Sequence, residues 1–250
     1  MKITLTYLAN AGYYLSYSGG GIAVDSVFTD GDLFFSTPGE TILQDLLSRT
    51  GRFEALNLYL FTHCHKDHCD LRLVGAMLKN AVPVMLPDDP LVSKIVSEAD
   101  RENPSLMRLD EAPFQWEREG VRLTGFRTPH DRAPEGIHEC YLLEFLEEHC
   151  NVLILGDTET GEAYFPTWLK DKRIDAVSVN FTELNQEKGR TFLREVVGAE
   201  TIVLCHMPFA EDDHRHTRKY TIRQMERFQE MFPGLWLPQQ RNETIVLGSK

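Results

Sequence analysis

A cluster of side chains that can bind metal, at the end of a predicted apolar strand, limits the folds open to this chain more than any other segment. A predicted buried strand runs directly into His63-Cys64-His65-Lys66-Asp67-His68. In extended backbone the first two histidines point to the same side, and after a turn the aspartate and the last histidine can face a second position nearby. Crowded imidazoles and a carboxylate would otherwise each need a hydrogen-bond partner. Because these groups are the ligands that zinc takes, the segment predicts a metal site rather than a solvated turn.

Four further polar residues follow apolar runs elsewhere in the chain. Each alone reads as an ordinary loop residue, but all share a position where a strand delivers a polar side chain to a sheet edge. Rigid scaffolds place functional groups at such strand ends. The four residues are Asp25 after the run 21–24, His130 after 121–128, Asp157 after 152–155 and His206 after 201–205.

The pattern of apolar residues predicts short strands at both ends of the chain, with helices between them. Strands are predicted by period-two alternation and flanking turn residues at 3–8, 13–17, 21–27, 56–61, 82–86, 121–127, 141–145, 152–155, 176–180, 201–204 and 244–247. Helical spacing appears at 41–48, after residue 70, and at 90–101, 188–197 and 219–231. These elements predict an α/β (α+β) fold with two sheets between helix layers, as a single domain over residues 1–250.

Charge and cysteine usage narrow the class of protein. The formal net charge is −12, which argues against a broad nucleic-acid surface because Lys and Arg would have to neutralise phosphates. Five cysteines without regular spacing do not form a disulfide framework. The first eight residues alternate like a strand rather than a secretion signal, and no apolar stretch is long enough for a membrane span. We therefore expect a cytoplasmic protein with reduced thiols.

The ligand series in this order resembles that of the metallo-β-lactamase superfamily. The motif is His63-x-His65-x-Asp67-His68, then His130, Gly156-Asp157 and His206. The opening segment, Ala9-Asn10-Ala11-Gly12 through Ala23-Val24-Asp25, is similar to the branch that includes the L-ascorbate-6-phosphate lactonases. The resemblance covers nearly the whole chain, is specific for fold and metals rather than for substrate, and implies a four-layer αββα sandwich.

The resemblance also implies a role for each candidate ligand. His63, His65 and His130 would bind the first metal, Asp67, His68 and His206 would bind the second, and Asp157 would bridge the two. Asp25 would brace the ligand loop by hydrogen bonds, as partners of metal-bound imidazoles do.

The implied chemistry is hydrolysis. Two divalent cations about 3.5 to 4 Å apart can share a water whose pKa falls to near 7, so that a bridging hydroxide attacks an ester, lactone or phosphodiester. Asp67 would hold its metal and orient the nucleophile, which makes it the candidate catalytic residue. The His-rich set favours two Zn²⁺, with Mn²⁺ or Fe²⁺ as alternatives. The cations leave the site locally positive, so we expect a small polar or anionic substrate.

Several residues near these motifs are candidates for substrate contact. His214 and His216 lie in the segment after His206, and Arg132 and His138 lie in the segment after His130. Residues 100–115 are polar and contain potential helix breakers, which predicts a loop or lid near the site. Cys64, Cys69 and Cys205 flank ligands but are predicted to point away from the metals, since neighbouring strand residues face opposite sides.

Other functions stay open at this point. A nuclease or nucleotide phosphodiesterase of the same superfamily is one, although the chain lacks an obvious basic stripe. A metal-binding protein without turnover is another. A flavodiiron-type redox enzyme normally has Glu where this chain has His65, and the absence of a secretion signal argues against a true β-lactamase. The sequence leaves a homo-oligomer open, and it predicts no membrane partner.

Overall fold

Two seven-stranded sheets form the centre of the molecule in a computed structural model, which describes residues 2–30, 35–110, 112–131 and 137–248. The strands are β1 Ile3–Ala9, β2 Gly12–Tyr17, β3 Gly20–Val24, β4 Leu56–Leu60, β5 Val84–Pro87, β6 Leu106–Leu109, β7 Phe114–Arg118, β8 Val121–Thr128, β9 His138–Phe145, β10 Cys150–Ile154, β11 Ala176–Asn180, β12 Thr201–Cys205, β13 Leu235–Trp236 and β14 Thr244–Leu247.

The strand order brings the ends of several strands to one edge of the sandwich. The first sheet has the order β14-β1-β2-β3-β4-β5-β6 and the second β13-β12-β11-β10-β9-β8-β7. Strands β3 to β6 are parallel, as are β10 to β13. Strand β8 runs in the direction of β10 because both are antiparallel to β9. The carboxyl ends of β8, β10, β11 and β12 therefore meet at one edge of the second sheet.

Alternation along the strands divides the apolar side chains into three layers of core. In β10, Val152 and Ile154 lie in the cluster between the two sheets, whereas Leu153 lies in the cluster on the outer face of the second sheet. Helices cover both outer faces, which gives the αββα order that the resemblance implies. They are α1 Glu40–Ser48, α2 Val74–Leu78, α3 Pro90–Ile95 and α4 Glu98–Arg101 by the first sheet, and α5 Thr182–Asn185, α6 Glu187–Phe192 and α7 Thr217–Phe228 on the second.

The structure corrects the prediction for residues 90–115. The expected single helix is divided into α3 and α4, because Ser97 has extended backbone and its side chain caps α4 by accepting a hydrogen bond from the Asp100 N–H. The expected loop or lid at 100–115 instead contains strand β6 and the start of β7, which form the edges of the two sheets. The pattern of apolar residues did not predict β6, β7 or β13. Strands β6 and β7 are half-exposed edge strands in which apolar and polar residues alternate only weakly, and β13 has only two residues.

The cysteines that flank the candidate ligands point into the apolar cores, as the sequence predicts. All five thiols are free and buried. Cys205 packs in the core between the sheets, and Cys64 and Cys69 pack on the outer face of the first sheet. None of the helices in the described ranges is long and apolar enough to cross a membrane.

Candidate metal centre

The seven predicted ligands converge where the loops of the two sheets meet. Their nitrogen and oxygen atoms form three overlapping groups, and within each group the atoms lie within 4.8 Å of one another. His63, His65 and His130 form one group, which we call the first position. Asp67, His68 and His206 form another group, which we call the second position. The remaining group, His63, His68 and Asp157, shares one histidine with each position.

Asp157 lies at the centre of this arrangement. Its Oδ2 atom is 3.1 Å from Nε2 of His206, 3.6 Å from Nε2 of His68 and 4.0 Å from Nε2 of His130. Its Oδ1 atom accepts a hydrogen bond of 3.0 Å from the Asn180 side chain at the end of β11. One carboxylate oxygen is thus anchored by protein, and the other faces ligands of both positions, as a bridging carboxylate requires.

Asp25 fixes the protonation of two ligand rings. Its Oδ1 accepts from the Thr62 N–H at 2.8 Å, and its Oδ2 accepts from the Thr62 hydroxyl at 2.7 Å. The same Oδ2 lies 3.0 Å from Nδ1 of His68. Since the Thr62 hydroxyl donates to Asp25, its oxygen accepts from Nδ1 of His63 at 3.1 Å. Both rings therefore hold a proton on Nδ1 and turn Nε2 toward the cluster.

Unpartnered buried nitrogens show that the cluster fits metal ions. The Nε2 atoms of His63, His68, His130 and His206 are buried and make no hydrogen bond of good geometry, although that of His206 lies 3.1 Å from Oδ2 of Asp157. A buried polar atom without a partner costs about 1 to 3 kcal/mol, so four in one place need a common explanation. Cations coordinated by these nitrogens and by Asp67 and Asp157 provide it, because neutral imidazole and carboxylate are zinc ligands.

Electrostatics in the cluster also favours cations. Burial by itself would lower the pKa of His206, but the Asp157 carboxylate raises it to about 9. Burial and the charge of His68 together hold the pKa of His63 well below its usual range. Burial would raise the pKa of Asp157, yet His206 and His68 keep it well below the ordinary value. Without a metal, the carboxylates are balanced by protons on imidazole, which a divalent cation would displace on binding.

The loops that carry these residues use left-handed backbone. Asp25 has φ 44°, Gly156 φ 54° and His206 φ 62°. A Cβ atom at Gly156 would lie 2.7 Å from both Nε2 of His138 and Oγ1 of Thr62. Strained backbone of this kind clusters at functional sites. At Gly156 the absence of a side chain lets the Asp157 loop approach the layer beneath the cluster, which contains His138 and Thr62.

His138 lies in that layer and not in a substrate-facing loop, which corrects the prediction from the sequence. It is fully buried at the start of β9. Its Nε2 accepts from the Asp157 N–H at 3.1 Å, so the ring proton is on Nδ1 and points to Oγ1 of Thr128 at 3.0 Å. Burial lowers the pKa of His138 to about 3, which keeps the ring neutral. With both nitrogens engaged, His138 supports the backbone of Asp157 and has no atom for substrate.

We predict that two replacements of His138 differ in their effect on metal binding. Gln places an amide oxygen near the former Nε2 and can still accept from the Asp157 N–H, whereas the shorter Asn reaches only the position of Nδ1. His138→Asn should weaken zinc binding about 10- to 100-fold, and His138→Gln should restore most of it. Zinc content after dialysis against graded chelator measures this. Equal losses in the two variants would contradict the role, and His149→Asn, at an exposed turn, is the control.

A cavity of about 430 Å³ opens over the cluster. His65, Asp67, His130, Asp157 and His206 line its floor. Its walls include the rings of Phe35 and Phe181, and Phe35 packs edge-on against His206 with ring centroids 4.4 Å apart. The volume is that of a small-molecule site.

The other candidate contacts are placed as follows. His214 lines the cavity, together with Arg215. His216 is exposed, has φ 57° and precedes α7; it is not among the lining residues. Arg132 lies outside the described residues. Three further acids line the cavity, Asp131, Asp212 and Asp213; Asp212 accepts from Ser36, and Asp213 accepts from the N–H groups of Thr217 and Arg218.

Sequence reasoning missed two amides that hold the carboxylate ligands. Asn180 bonds Asp157, and Asn10 bonds Asp67. Asn180 is the last residue of a predicted strand, and the candidate ligands lie just after predicted strands. Its position at a strand end could therefore have identified it as a candidate. Asn10 lies in a turn of the first sheet, and its contact with Asp67 depends on loop geometry that no spacing reveals.

Solved structures share this architecture at low sequence identity. A possible metal-dependent hydrolase from Veillonella parvula superposes with a TM-score of 0.71 at 17% identity, covering 99% of this chain and 100% of that one. An isothiocyanate hydrolase from Delia radicum gut bacteria gives 0.66 at 15%, covering 97% and 98%. The metallo-β-lactamase fold protein YhfI from Bacillus subtilis gives 0.62 at 13%, covering 98% of both. This chain therefore has the metallo-β-lactamase fold. No protein-family model and no curated protein matches it.

Proposed function

We propose that this protein is a hydrolase that uses two divalent cations, most simply Zn²⁺, on a small polar or anionic ester, lactone or phosphodiester. The observation that carries the proposal is the convergence of seven candidate ligands, whose four buried Nε2 atoms, those of His63, His68, His130 and His206, make no hydrogen bond of good geometry. His63, His65 and His130 would hold one cation and Asp67, His68 and His206 the other, with Asp157 between them. Several structural neighbours are named as hydrolases.

The chemistry follows from the donors present. When bound, divalent cations lower the pKa of water to near 7 and stabilise the oxyanion that forms on attack. The protein fixes the donors: Asp25 and Thr62 hold His63 and His68 in the tautomer that leaves Nε2 free. Asp67 lies at the cavity floor with its Oδ2 3.2 Å from Nε2 of His206. There it is placed to accept a hydrogen bond from the attacking group and orient it, so we assign it the catalytic role.

Several observations support a compact anionic substrate. Two divalent cations would outweigh the negative charge of Asp67 and Asp157. Of the other acids that line the cavity, Asp131, Asp212 and Asp213, the last two are engaged in hydrogen bonds within the protein. A cavity of about 430 Å³ has the volume of a small-molecule site. These features favour esterase or lactonase chemistry over a nuclease. They also suit our assignment to the branch of the ascorbate-6-phosphate lactonases.

Two broader proposals accompany this function. The central core is shared by strands from both halves of the chain, which supports one domain over residues 1–250. Five free thiols suit a reducing compartment, and on that ground we propose a cytoplasmic location.

A substrate panel tests the function directly. We expect zinc-loaded protein to hydrolyse at least one class among lactones, thioesters, carboxylate esters and bis(p-nitrophenyl) phosphate, and His63→Ala to lose that activity together with its zinc. His149→Asn, at an exposed turn away from the cluster, should keep both. Stoichiometric metal binding without turnover on any class would instead indicate a metal-binding protein that is not an enzyme.

A further inference from the structure

Asn10 contacts the cluster although it is not one of its ligands. It lies between β1 and β2, is fully buried and has φ 50°. Its Nδ2 donates to the backbone oxygen of Asp67 at 3.0 Å and to Oδ2 of the same residue at 3.2 Å. Since both neighbours are oxygens, the amide nitrogen must be the atom that faces them.

The main chain of Asn10 reaches a second ligand. Its carbonyl accepts from the His206 N–H at 2.8 Å and from the hydroxyl of the buried Tyr7. Asn10 also forms a β-bridge with Met207, the residue after that ligand. Asp67 follows a strand of the first sheet and His206 follows a strand of the second, so one residue connects ligands from both halves of the sandwich.

The contact selects one oxygen of Asp67. The Oδ2 atom that Asn10 bonds is the one that lies 3.2 Å from Nε2 of His206 and 3.8 Å from Nε2 of His68. Asn10 thus acts on the side chain of one member of the second position and on the backbone of another. Its hydrogen bonds reach no ligand that belongs to the first position alone.

We infer that Asn10 is a positioning residue that sets the affinity of the second metal position and leaves the first largely unaffected. The inference rests on the proposed two-metal function. Loss of a group that orients a metal ligand typically weakens metal binding about 10- to 100-fold. The second position alone should lose that factor when the Asn10 amide is removed.

The test compares glycine replacements at two asparagines with left-handed backbone. Asn10→Gly removes the amide and retains the conformation. Asn242→Gly does the same at an exposed turn with φ 65°. Zinc stoichiometry and stepwise affinity, measured by competition with a chromophoric chelator, should show two zinc ions in the parent and in Asn242→Gly. Asn10→Gly should bind one zinc ion normally and the second about 10- to 100-fold more weakly.

Asn10→Asp provides a second variant of nearly unchanged shape. It places a carboxylate oxygen against Asp67, so it should also weaken binding of the second zinc ion selectively. If the glycine variant does not fold, this variant tests the role of Asn10 by itself. Two zinc ions bound with parental affinity, or an equal loss at both positions, would overturn the role of Asn10. A parent protein that binds fewer than two zinc ions would instead overturn the proposed two-metal function.

Discussion

Asp157→Asn is expected to cause the largest loss of metal and activity of any single substitution. Asp157 is the proposed bridging ligand, and its Oδ2 faces His68, His130 and His206 together. The substitution keeps the shape but removes the negative charge between the two positions. Removing an orienting partner already costs about 10- to 100-fold in metal affinity. We therefore expect a loss beyond about 100-fold here, and hydrolysis falling in parallel.

Metal analysis by mass spectrometry and the substrate panel measure this effect. Asp171→Asn is a suitable control, because Asp171 is exposed ahead of β11, at the opposite end of that strand from the cluster. If Asp157→Asn kept two zinc ions at parental affinity, Asp157 would not be the bridging ligand.

Removing the metals is expected to lower the thermal stability substantially. A ligand that binds only the folded state stabilises by about 4 kcal/mol when its free concentration is 1,000 times Kd. For a protein of this size 1 kcal/mol corresponds to about 2 to 4 °C in Tm. A single occupied position should therefore raise Tm by roughly 8 to 16 °C, and two positions by more.

Thermal unfolding followed by circular dichroism, with zinc and after exhaustive chelation, measures this difference. Stripped protein should regain its Tm when zinc is restored, whereas His63→Ala should regain little, because His63 belongs to two of the three ligand groups. Identical midpoints with and without metal would contradict a cation held between the two sheets.

The fold could be predicted because the features that indicate it, strand periodicity and the motif from His63 to His68, lie within short segments of the sequence. Strand periodicity gave eleven strands near their observed positions, and His63 to His68 follow one another along a single loop. His130, Asp157 and His206 follow strands of the second sheet that run in the same direction, and Asp25 follows β3, which is parallel to β4 in the first sheet, so each sheet brings its candidates to one end.

The missed features depend on contacts between distant segments. His138 follows a segment that reads as a loop, yet the structure pairs it with Thr128 as the first residue of β9 and directs its ring at Asp157. Asn10 and Asp67 meet across 57 positions through a side-chain amide, a contact that leaves no periodic signal. Strands β6 and β7 are half-exposed edges, where alternation is weakest.

The origin of the ligands in both sheets has a consequence for the rate at which metal leaves. His63 and Asp67 follow β4 of the first sheet, and Asp157 and His206 follow β10 and β12 of the second. We expect an ion held by side chains from both sheets to leave most readily when these loops move apart. Release should therefore be limited by a local fluctuation of the protein. Isotopically labelled zinc should exchange on the same timescale as the amide hydrogens of His206 and Thr62, which close that rim by bonding Asn10 and Asp25.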